Sequence, residues 1–97
     1  MFEIKFTPEA IADLRWFIKE DRKTIMAKLE TQLSYEPAVE TRNRKRLRPN
    51  KLAEWELRFG GFRVFFDVEE EDRLIKVIAV GYKEGSRLFI RGKEYEL

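Results

Sequence analysis

The stretch Glu54 to Asp67, EWELRFGGFRVFFD, constrains the fold more than any other part of this chain. Gly60-Gly61 is the kind of two-residue step that tight β-hairpins favour. With the turn there, Phe59 stands opposite Phe62, Leu57 opposite Val64 and Trp55 opposite Phe66, so one side of the ribbon is core. Side chains alternate along a strand, which puts Arg58 directly opposite Arg63 on the other side, in the row that also holds Glu54, Glu56 and Phe65. Like charges directly opposed are destabilising unless something neutralises them. Two facing guanidinium groups therefore predict an anion site. The same register sets Glu54 against Asp67, so like-charge opposition is not confined to the arginines.

The segments around the hairpin suggest what it packs against. Phe2, Ile4 and Phe6 alternate with polar residues and predict a half-buried strand. Thr7-Pro8 ends that strand and opens a helix, with Thr7 as the capping oxygen and Pro8 where a missing N–H is harmless. Ile11, Leu14, Phe17 and Ile18 follow at helical spacing, with Glu9, Asp13, Arg15 and Lys19 expected on the outside. Asp21 is the expected cap of a second helix whose apolar stripe is Ile25, Met26, Leu29 and Leu33, with Pro37 beyond its end. After the hairpin come an acidic turn, Glu69 to Asp72, and a strand from Leu74 to Val80 that is apolar except at Lys76, as a strand covered on both faces would be. The order β-α-α-β-β-β predicts an α+β fold with the helical hairpin on one face of a small antiparallel sheet. The tail holding Leu88, Phe89, Ile90 and Tyr95 is expected to be ordered, as strand or helix.

A chain of 97 residues is read as one domain with a single modest core. It has no cysteine and no histidine, which removes disulfides, thiolate sites, the commonest general acid and the commonest transition-metal ligand. Any catalysis must run on carboxylates, Lys, Arg and Tyr, with no metal or cofactor expected. The opening MFEIKFTPEA has neither a basic nor an apolar leader region, and no apolar run approaches a membrane span. A cytoplasmic protein without membrane contact is the expectation. Net charge is only +2, yet RNRKRLRPNK carries Arg42, Arg44, Lys45, Arg46, Arg48 and Lys51 with no acid among them. Such a run is the footprint of a polyanion partner, or else a solvated loop balanced by Glu36, Glu40 and Glu54.

KRLRP, then W-x-L-R-x-G-x-x-R-V-x-F-x-V from Trp55 to Val68, an acidic turn, an apolar strand and V-G-Y-K ending at Lys83 together resemble the RelE/ParE superfamily of bacterial toxin–antitoxin toxins. The preceding β-α-α order agrees, so the resemblance spans essentially the whole chain. It implies a toxin neutralised by a cognate antitoxin, with operator DNA bound only through that partner. RelE-type members cut messenger RNA in the ribosomal A site and inhibit translation; ParE-type members poison DNA gyrase without a nuclease site. A toxin fold that has lost its activity is a third reading. The resemblance places Arg63 on the scissile phosphate and Lys83 at a second basic position after the last strand. It departs from the RelE type at Glu54 and Glu56, which stand where lysines are usual, and at Phe89, which stands for a tyrosine.

RNA self-cleavage needs a base for the 2′-hydroxyl, cations for the phosphorane and a proton for the departing 5′-oxygen. Arg63 and Arg58 are suited to the second task, because guanidinium groups hold phosphate oxygens with paired bonds. Glu56, on their strand face, is the candidate base, and Tyr82 beside Lys83 the candidate acid. Arg42, Arg44, Lys45, Arg46, Arg48 and Lys51 would hold RNA, with Phe65 stacking on a base. The bland alternative is a surface lattice of ion pairs worth about 0–1 kcal/mol each, with Tyr82 a packed turn residue and Phe65 packed against the tail.

Overall fold

The computed structural model describes residues 1–97. Its elements run β1 (Glu3–Phe6), α1 (Pro8–Trp16), α2 (Lys19–Leu33), β2 (Arg44–Arg46), β3 (Trp55–Phe59), β4 (Phe62–Glu69), β5 (Leu74–Glu84), β6 (Arg87–Ile90) and β7 (Lys93–Tyr95). Thr7 caps α1 as its sequence suggests, accepting from the Ala10 N–H at 3.1 Å, while its hydroxyl donates to the Ile78 carbonyl at 3.2 Å. One sheet of seven strands runs β2-β3-β4-β5-β6-β7, antiparallel throughout, with β1 added parallel to β5. The hairpin register is the expected one, Trp55 to Phe66 through Phe59 to Phe62. Gly60 takes the left-handed conformation that the turn demands (φ 54°).

β5 is the axis of the molecule. β4 flanks one side of it, while β1 pairs with its first half and β6 with its last residues on the other. Its two faces serve two cores. Ile75, Val77 and Val80 join Trp55, Leu57, Val64 and Phe66 beneath Ile25, Leu29 and Leu33 of α2 and Phe17 after α1. Ala79 turns the other way, to Phe65, Ala53 and Leu88, under the hairpin made by β6 and β7. The tail is therefore two strands, closed by a bidentate pair between Arg87 and Glu94 (Nε–Oε2 3.2 Å). A bulge at Ile78 makes the switch of faces possible: Phe65 pairs with Ala79 and Phe66 with Val77, leaving Ile78 unpaired and shifting the alternation of everything after it by one residue.

The helices differ from expectation in which residues they bury. Ile11, Ile18 and Met26 are exposed, whereas Asp13, expected outside, is only 2% exposed. The reason is a gap in the sheet. Between the end of β1 and the start of β6, β5 has no strand beside it, and the Val80 N–H donates to Asp13 Oδ2 at 3.0 Å instead. Asp13 Oδ1 lies 3.0 Å from Arg91 Nε, an ion-pair distance without hydrogen-bond alignment. Nor does Asp21 cap α2. That helix begins at Lys19 with Ile18 as an N-cap that makes no side-chain bond, because Phe17 and Ile18 are both extended and leave Asp21 inside the first turn. No helix is long and apolar enough to cross a membrane.

Burial pushes the Asp13 carboxyl above its ordinary range, against the pull of the Val80 N–H and Arg91 and with a small push from Glu9. A carboxyl whose folded pKa is raised favours folding below its unfolded pKa and loses that contribution as pH rises through the folded value. Urea denaturation of the native protein and Asp13→Asn from pH 4 upward is expected to show the native protein losing stability relative to the variant, then running parallel to it. A relative gain with rising pH would contradict this assignment.

Candidate functional site

The face opposite the helices carries the charged row. Arg58 and Arg63 are cross-strand partners, as the hairpin register requires. Glu56 lies one step along, 7% exposed, with Oε1 3.7 Å from Arg58 Nε. Lys45 of β2 stands directly opposite Glu56. Arg63 pairs with Gly81 of β5, so Lys83, two residues on, shares the Arg63 face. Four cations from four adjacent strands thus share one face, with Lys45 and Arg58 nearest the buried Glu56.

Arg63 is held rather than loose. Its Nη1 donates to the carbonyls of Gly60 and Phe62 at 3.0 and 2.8 Å, and its Nε is buried with no partner. Burial lowers its pKa from the ordinary arginine value; Glu56 opposes the shift and Arg58 adds to it. A guanidinium fixed by two carbonyls and facing a second guanidinium is preorganised for an anion. The roomiest clefts open elsewhere: one of about 700 Å3 is lined by Thr7, Asp13, Ile78, Arg91 and their neighbours. The charged row is an open surface, suited to a strand laid across it.

Three residues assigned to the site from sequence do not reach it. Tyr82 faces the helices, its ring stacked between Trp16 and Phe89 at centroid distances of 5.4 and 5.5 Å. The Ile78 bulge puts it there, and it removes Tyr82 as proton donor. Phe65 is fully buried among Ala53, Ala79 and Leu88, with no ring face left for a base. Arg44 is 7% exposed; its Nε donates to the Val39 carbonyl at 2.8 Å and its Nη1 to the Gln32 carbonyl, one of the unpaired carbonyls at the end of α2. It anchors the helix to β2. Arg44→Met is expected to cost about 2–3 kcal/mol in urea denaturation while leaving the activity per folded molecule unchanged; a stable variant with lost activity would return Arg44 to the site.

The remaining basic residues divide. Arg46 sits over the Trp55 ring (5.7 Å) and 3.8 Å from Glu54. Arg42, Lys45, Arg48 and Lys51 are exposed and form no ion pair. Asn50 shapes the loop that carries Arg48 and Lys51. Its Oδ1 accepts from the Leu52 and Ala53 N–H groups at 2.7 and 3.0 Å, and its Nδ2 donates to the Arg48 and Ala53 carbonyls at 2.7 and 2.9 Å. Asn50 went unnoticed in the sequence, although Pro-Asn before a small loop is a turn signal.

Comparison with known proteins bears on the fold and the family. No curated protein sequence matches the chain. Among solved structures, it is similar to a chain of the RelBE2 toxin–antitoxin complex from Mycobacterium tuberculosis, with 22% identity over 84% of this chain and 98% of that one and a TM-score of 0.70. It is similar to a chain of the archaeal RelE–RelB complex from Pyrococcus horikoshii, with 20% identity, coverage of 81% and 91%, and a TM-score of 0.65. For the intact RelBE complex of E. coli the values are 21%, 87% and 99%, and 0.61. These likenesses establish the fold. The family model of the ParE toxin of type II toxin–antitoxin systems matches residues 4–86, a span that takes in both helices, the hairpin and the full charged row through Lys83. On that match and that fold, the chain belongs to the RelE/ParE superfamily as a toxin of a type II toxin–antitoxin system.

Proposed function

We propose that this toxin is a metal-independent endoribonuclease that cuts messenger RNA on the ribosome. The observation that carries the reading is the Arg58–Arg63 pair beside buried Glu56. Glu56 takes the proton of a ribose 2′-hydroxyl, and the freed oxygen attacks the adjacent phosphorus. Arg63 and Arg58 hold the phosphorane oxygens. The bond from phosphorus to the 5′-oxygen breaks, and with Tyr82 on the other face its proton comes from Lys83. The products are a 2′,3′-cyclic phosphate and a 5′-hydroxyl. Arg42, Arg48 and Lys51 hold the RNA on either side, a contact that weakens steeply with salt. A cognate antitoxin blocks the reaction by covering this face together with exposed apolar residues such as Ile18 and Tyr35.

Purified toxin added to ribosomes programmed with a message tests the chemistry: 5′-hydroxyl ends are expected, and an intact message would overturn it. The ParE description of the matching family favours a second reading, in which the cationic face binds DNA gyrase; supercoiling inhibition by purified toxin with intact message would support it.

A further inference from the structure

Lys45 lies outside the arginine pair, yet it is the closest residue to Glu56 on the β2 side. The two are direct cross-strand partners, so their side chains leave the sheet together. Glu56 is 7% exposed and its ion-pair contact is with Arg58. Lys45 is exposed and makes no ion pair. The other groups around Glu56 on this face are Glu54 and Arg58 on its own strand and Arg63 and Asp67 on β4. Glu54 pairs with Arg46, and Asp67 accepts from the Glu54 N–H at 2.8 Å. Lys45 is therefore left with its charge uncommitted beside the candidate base.

Adjacent strands lie about 4.8 Å apart and a strand advances about 3.4 Å per residue, so Lys45 and Arg58, one strand and two residues apart, are separated by roughly 8 Å with Glu56 at the corner between them. A nucleotide has the same layout of charge, with a ribose between the phosphate on its 5′ side and the phosphate on its 3′ side. With the 3′ phosphate between Arg58 and Arg63 and the 2′-hydroxyl at Glu56, the 5′ phosphate falls at Lys45. We propose that Lys45 binds the phosphate on the 5′ side of the nucleotide being cut and so seats that ribose against Glu56. The inference rests on the reading of this face as an RNA-cleaving site, and it makes Lys45 a positioning residue.

The test pairs an enzyme change with a substrate change. After the cut is mapped, a message is made with a neutral methylphosphonate replacing the phosphate on the 5′ side of the cleaved nucleotide, and its cleavage on programmed ribosomes is timed. Native toxin is expected to slow about 10-fold on this message, the scale of one charge-assisted hydrogen bond. Lys45→Ala is expected to slow about 10-fold on the ordinary message and no further on the neutral one, while Lys45→Arg stays near native on the ordinary message. A further 10-fold loss for Lys45→Ala on the neutral message would overturn the proposal, because the two changes would then act independently. Native toxin that leaves the ordinary message uncut would fail at the earlier step, removing the ribonuclease reading and this assignment with it.

Discussion

If the charged face cuts RNA as proposed, replacing Arg63 with alanine is expected to lower message cleavage by about 10²–10³-fold, the loss that follows removal of one preorganised donor from a developing oxyanion. The effect is large because Arg63 is fixed before substrate arrives. Two carbonyls at the hairpin turn hold the guanidinium in place. The fold survives, since the strand pairing and both cores are made by other residues. Urea denaturation of Arg63→Ala is expected within about 1 kcal/mol of native. Cleavage at the native rate by a folded Arg63→Ala protein would remove the phosphate role of this residue.

The second large effect falls on the fold. Gly81 is buried in β5 opposite Arg63, and an added methyl group would run into the Phe89 carbonyl, with the Ile90 and Leu88 side chains 3.1 and 3.4 Å away. Glycine inside a strand often marks a close approach of another backbone, and here β6 is that backbone. Gly81→Ala is expected to push β6 off β5, costing about 1–3 kcal/mol and speeding hydrogen exchange in β6 and β7. With β6 displaced, Leu88 no longer covers Phe65 and the Tyr82–Phe89 stack opens. Stability within about 0.5 kcal/mol of native, with protection in β6 unchanged, would show that the strand can shift without loss.

How far this arrangement can be read from sequence depends on whether the determining contact is local. The hairpin register is local: a two-residue turn fixes every pair outward from Gly60-Gly61, and Trp55 to Phe66 and Arg58 to Arg63 follow by counting. The cap at Thr7 is equally local. Tyr82 fails for a nonlocal reason. Counting alternation on from Ile75 and Val77 puts it on the Arg63 face, and the unpaired Ile78 moves it to the helices; nothing in LIKVIAVGYK marks that residue as a bulge. Asp13 looks like a solvent-facing carboxylate at its place on α1 because its partner, the Val80 N–H, is 67 residues away and free only where β1 stops and β6 has not begun. Arg44 looks like one more member of a basic run, and only the position of the end of α2 makes it an anchor. The family resemblance, carried by spaced motifs along the chain, is borne out by the match over residues 4–86.

The most direct test of the central claim is a brief expression of this toxin in cells without its antitoxin, followed by mapping of messenger RNA 5′ ends, with Arg63→Ala as the control. Discrete new 5′ ends within translated reading frames, absent from the control, are the predicted result. Growth arrest with intact messages and an induced DNA-damage response would contradict it and assign the charged face to gyrase.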